Sequence, residues 1–76
     1  MKNTERIFNE VEDITIAAFL ALRNHIVTPL KYPDGRRAFE VQGDIARDVE
    51  AFYTNQPVGI MDYVASLKWI QGQILP

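Results

Sequence analysis

Along this 76-residue chain apolar positions recur at two periods, one helical and one alternating, and each predicts its own kind of element. The clearest stretch follows Asp13, whose carboxylate can accept from the unpaired amides of a first helical turn. "ITIAAFLALR" (residues 14–23) then reads as helix, rich in Ala and Leu, with Arg23 well placed near the C-terminal end. Ile14, Ala17, Ala18 and Ala21 share a small-residue face, while Ile16, Phe19 and Leu20 cover the other sides. A helix apolar all round is buried all round, so in so short a chain something must cover it on two sides. The segment before it, "RIFNEV", reads either as a short strand or as the lead-in turn of this helix.

The period then changes to two. "HIVTPLKY" (25–32) and "RAFEVQ" (37–42) read as strands, with Ile26, Leu30 and Tyr32 pointing one way on the first and Phe39 and Val41 sharing a face of the second. Pro29 lacks a donor for the ladder, which sends the first strand to an edge. Between them "YPDGR" suits a type I turn followed by a left-handed Gly35 that makes a bulge. Gly43 breaks the second strand and Asp44 caps a new helix with Ile45, Val49 and Phe52 on one face. "TNQPVG" (54–59) ends it, through a left-handed Asn55 and the block at Pro57. A last helix runs from about Ile60 to Ile74 with a core stripe of Ile60, Tyr63, Val64, Leu67, Ile70 and Ile74. The expectation is an α+β fold: a helix, an antiparallel β-hairpin with the N-terminal segment as a third strand or a flexible lead, then two helices packed on the sheet.

Composition adds limits. With 47% hydrophobic and 24% charged residues, the chain reads as one globular domain over residues 1–76, in which residues 1–12 are flexible or strand-like. Ordering it costs on the order of 100 kcal/mol of conformational entropy, so its core must be efficient. No cysteine is present to staple the fold or bind a metal as thiolate. A net charge of -2 gives no global attraction to nucleic acid or to an anionic membrane. The longest apolar run, Ile14 to Leu22, falls short of the roughly 20 residues of a membrane span. "MKNTERIFNEVED" is charged throughout, unlike a signal peptide, and a cytoplasmic protein is expected.

The succession of "EDITIAAFLALRNH", the charged hairpin "KYPDGRRAFEV", the helix end "VEAFYTN" and the closing helix "VGIMDYVASLKWIQGQI" resembles a small prokaryotic and phage domain family of unknown function. The likeness covers residues 12 to 74 and consists of hydrophobic patterns. It implies the same order of elements and no activity.

Three classes of function can be weighed on the residues. For catalysis, His25 is the single histidine, with no cysteine and no Ser-His-Asp set beside it, and it reads as a boundary residue capping the last helical carbonyls. The acidic groups Glu10, Glu12, Asp13 and Asp44, Asp48 lack histidine partners and suit helix N-terminal charge. No catalytic, cofactor or metal site is expected, and no enzyme. For nucleic acid, Lys31, Arg36 and Arg37 at the hairpin tip suit phosphate contacts and Tyr32 suits stacking. Two or three such contacts bind weakly, however, and a tight turn at a sheet edge is charged for structural reasons. Nucleic acid is therefore the alternative. For protein contact, Trp69, Met61 and Ala65 form a narrow apolar strip opposite the core stripe of the last helix, with Gly72 beside it. Together with Ile16 and Leu20 from the all-apolar helix they make a candidate interface for an unidentified protein partner or a second copy. The competing reading is that "RIFNEV" folds back and covers Trp69 with Ile7 and Phe8.

Overall fold

The computed structural model describes residues 7–74, the last of them in its backbone only. In chain order the elements are β1 (Phe8–Val11), α1 (Ile14–Leu22), β2 (Val27–Lys31), β3 (Arg37–Gln42), α2 (Ala46–Tyr53) and α3 (Ile60–Ile74). The strands form one antiparallel sheet in the order β1-β3-β2, so the fold is α+β and residues 8–11 of the N-terminal segment supply its third strand. Residues 1–6 of that segment lie outside the described residues.

α1 starts where the Asp13 carboxylate accepts from the amides of Thr15 and Ile16 at 2.8 and 3.4 Å and from the Thr15 hydroxyl. That hydroxyl first, then the two amides, hold the Asp13 carboxyl below its ordinary range. The helix ends in a left-handed Asn24 (φ 73°). Behind it the amides of Asn24 and His25 turn back onto the carbonyls of Ala21 and Leu20 at 3.0 and 3.1 Å. This paired closure satisfies the orphan carbonyls of a helix end, with asparagine in the place glycine usually takes. α2 ends the same way, with Asn55 at φ 66° and the amides of Asn55 and Gln56 on Phe52 and Ala51.

The hairpin follows its turn chemistry. The Gly35 amide donates to the Tyr32 carbonyl and the Tyr32 amide to the Arg36 carbonyl, both at 3.0 Å, with Gly35 left-handed at φ 92°. Tyr32 and Arg36 are thus a hydrogen-bonded pair. Alternation along the ladder then places Pro29, opposite Phe39, in a pair that exchanges no bonds. Its missing N–H faces away from β3, on the outer edge.

Every other element packs against α1. Val11 of β1, Val27 of β2 and Phe39 and Val41 of β3 meet it from the sheet, and Ile70, with Tyr63 and Leu67, from α3. Ala17, Ala18 and Leu20 have no exposed surface at all. The Tyr63 hydroxyl donates to the Thr15 carbonyl at 3.0 Å and the Ser66 hydroxyl to the Ala18 carbonyl at 2.7 Å. These bonds pin α3 along α1 at two points three residues apart on each helix. α2 and α3 therefore meet the sheet chiefly through α1, which occupies the layer that the sequence assigned to them.

Ile26, Leu30 and Tyr32 share one face, as the alternation predicts, with Ile26 63% exposed, and the residue that β2 gives to the core from its other face is Val27, set opposite Val41. Ile60 lies on the stripe of α3 yet is 75% exposed, at the helix's first position. The Ile74 side chain, assigned to the same stripe, lies outside the description.

Leu20→Ala is expected to cost about 2–5 kcal/mol in urea unfolding, because the cavity it opens is closed in on all sides. Ile60→Ala, on the same measurement, should stay within about 0.5 kcal/mol of wild type.

Candidate functional site

α3 turns Tyr63, Leu67 and Ile70 to the core and leaves the opposite side to solvent. On that side Met61, Ala65 and Trp69 follow at intervals of four residues, which makes them one ridge of the helix surface. Met61 is 73% and Trp69 50% exposed, and Ala65 between them is exposed as well. Asp62 and Lys68 flank the ridge. The two residues expected to join this strip from α1, Ile16 and Leu20, do not reach it: both are buried in the core, because the sheet and α3 enclose α1. Residues 8–11, part of the segment that the competing reading folds over Trp69, are paired to β3, and Trp69 is half exposed.

At the hairpin tip Arg36 is already engaged. Its guanidinium meets Asp34 at 2.9 Å and Glu12 at 3.3 Å, and lies over the Tyr32 ring, 4.6 Å from its centroid. The Tyr32 hydroxyl hydrogen-bonds Glu10, which pushes its pKa above the usual range. The base-stacking candidate is thus held under a guanidinium, and carboxylates stand around the charge nearest to it. Lys31 and Arg37 are exposed at the end of the same hairpin.

The histidine has a different role from the one its position suggests. The backbone amide of His25, not its ring, closes the end of α1. The ring crosses to two other elements: Nδ1 lies 3.2 Å from the Gln42 carbonyl at the end of β3, and Nε2 lies 2.6 Å from Asp48 Oδ2 on α2. The second Asp48 oxygen accepts from Arg23 Nε at 3.0 Å. His25, ahead of Arg23, holds the Asp48 carboxyl below the usual carboxylate range. Three elements meet in this clasp. Both ring nitrogens lie within hydrogen-bond reach of a partner. Gly43, beside the ring, has φ 101°, a backbone conformation that favours glycine, although a Cβ there would meet Nδ1 only in ordinary contact at 3.6 Å. Sequence reasoning missed Asp48 as the partner of His25. The two are 23 residues apart, and the one available signal was a carboxylate on α2 beside the apolar stripe of Val49 and Phe52.

Between α1, α2 and α3 opens a groove of about 250 Å³, lined by Phe19, Phe52, Asn55, Gln56, Val58 and Tyr63. Phe52 meets Phe19 edge to face, with centroids 5.7 Å apart. Burial lifts the Tyr63 hydroxyl above its ordinary pKa, and its proton goes to the Thr15 carbonyl. Among the described residues no group of three or more His, Cys, Asp or Glu side chains stands together as metal ligands. Nor is any described helix long and apolar enough to cross a membrane.

Comparison with protein-family models, with curated proteins and with solved structures finds no match to this chain.

Asp48→Asn should lower stability at neutral pH by about 1–3 kcal/mol, since it weakens two charge-assisted hydrogen bonds. A carboxylate whose folded pKa is depressed stabilises above its unfolded value and loses that effect as pH falls through the folded one. The gap between wild type and variant in thermal melts should therefore close below about pH 4.

Proposed function

We propose that this chain is a small, non-catalytic interaction protein of the cytoplasm that binds a protein partner, or a second copy of itself, through the outer ridge of α3. The observation that carries the reading is the half-exposed Trp69 in line with the largely exposed Met61, on a helix whose opposite side already fills the core. Tryptophan and methionine are costly to leave in water and are enriched where proteins meet, with tryptophan the foremost anchor. Ala65 between them lets a partner approach the helix backbone closely. The flanking Asp62 and Lys68 suit a polar rim that sets specificity more than affinity. The likeness to small prokaryotic and phage domains of unknown function supports the order of elements in this reading and brings no activity with it.

The test is sedimentation and capture with wild type and Trp69→Glu. At micromolar concentration the wild type should form a larger species alone, or one with a protein taken from host lysate. Trp69→Glu should remain a monomer and capture nothing, while its unfolding free energy shifts by no more than about 1 kcal/mol. Equal behaviour of the two proteins overturns the proposal.

A further inference from the structure

The ladder determines which backbone groups of the sheet are left over. The Gly43 amide donates to the Ile7 carbonyl at 2.7 Å, so Ile7 and Gly43 are a hydrogen-bonded pair. Alternation makes Asn9–Val41 the next such pair, while Phe8–Gln42 and Glu10–Glu40 exchange no bonds. The Gln42 amide agrees, since it donates the other way, to the Ile26 carbonyl. The N–H and C=O groups of Phe8 and Glu10 therefore point away from β3, across the margin of the sheet that β1 forms. The side chains leave this margin clear. Glu10 accepts from the Tyr32 hydroxyl, which draws its carboxylate inward across β3. Asn9 Nδ2 donates to the Val41 and Gly43 carbonyls at 3.2 and 2.7 Å, which ties that side chain to β3 as well. Ile7, on the same side of the sheet as Val11, is 51% exposed here, and Phe8 is 49% exposed on the other side.

We propose that β1 is a pairing edge for a second copy of this chain, joined antiparallel about a two-fold axis at Asn9. Phe8 of each copy then faces Glu10 of the other as a hydrogen-bonded pair. Each of the two pairs exchanges two bonds, four in all. Neighbouring registers do worse. An axis at Glu10 sets two carboxylates opposite each other, and an axis at Phe8 leaves Glu10 without a partner inside the strand. The Asn9 register also places Ile7 opposite the second copy's Val11, on the core side of both sheets, and so takes an exposed isoleucine out of water. The other margin decides the number of copies. Pro29 interrupts the outer edge of β2, so copies do not add β1 to β2 in an open series. Pairing closes at two chains and one six-stranded sheet. A contact this small is of the weak, transient class, with a dissociation constant on the order of 0.1 mM. It does not involve the α3 ridge, and at micromolar concentration the edge stays unpaired.

The experiment is amide hydrogen exchange by NMR on the wild type at about 10 μM and about 1 mM. Exchange at Phe8 and Glu10 should slow about three- to fivefold at the higher concentration, as mass action on such a constant requires. The Lys31 amide, on the outer edge of β2, should not change. In a mixture of labelled and unlabelled chains, intermolecular NOEs should join Ile7 to Val11. Phe8→Pro removes an outward donor that β3 does not use, so its Glu10 amide should lose the protection. Phe8→Ala, which keeps the donor, should retain it, and so should Trp69→Glu. Exchange at Phe8 and Glu10 that ignores concentration overturns the proposal. So does protection without the contact between Ile7 and Val11, or protection that survives Phe8→Pro. The first two readouts need only wild type, so they decide the matter even if Phe8→Pro does not fold.

Discussion

The structure is organised by one requirement: α1 is apolar on every side and must be kept from water on every side. Nine residues from Ile14 to Leu22 offer no polar stripe, and the chain answers by setting the sheet on one flank and α3 and α2 on the others. The small side chains of Ala17 and Ala18 let neighbours come close, and Phe39, Leu20, Ile70 and Val41, each buried almost without remainder, fill the space. Burial of such side chains contributes about 1.5–3 kcal/mol each. The hydrogen bonds from Tyr63 and Ser66 to carbonyls of α1 then fix where along that helix α3 sits.

A core built around a central helix also decides which surfaces remain for other work. α1 is used up internally, so its residues cannot reach outward, and the sheet contributes one face to the core. The outward groups are those of α3's far side, the groove where the three helices meet, and the hairpin with its paired charges. The clasp of Arg23, His25 and Asp48 stands apart from the core and does by polar contact what the short α2, with no fully buried residue, does not do by packing alone.

Much of this was legible in the sequence where the cause is local. The Pro-Asp-Gly turn needs only its own backbone preferences, the Asp13 cap only the next turn, and the all-round apolar character of α1 only its neighbours in sequence. What was not legible depends on partners far along the chain. Ile26 and Val27 are both apolar and adjacent, and only the pairing of Val27 with Val41 decides which faces inward. Helical period assigns Ile60 correctly to a side of α3, but period does not reveal that the helix start leaves that residue exposed. Ile16 and Leu20 looked like surplus surface because nothing in the sequence says that α3 lies over α1. Asp48 looked like helix-terminus charge because its partner sits on another element.

The two edges of the sheet differ in kind. β2 turns the donorless nitrogen of Pro29 outward, together with the neighbouring charge of Lys31. A strand approaching there finds a gap in the ladder and a cation beside it. β1, on the opposite edge, has no proline from Phe8 to Val11, so every outward amide there is a donor, with Phe8 half exposed beside them. In the geometry of assembly this gives a three-stranded sheet a direction: it is closed to extension at one margin and complete at the other.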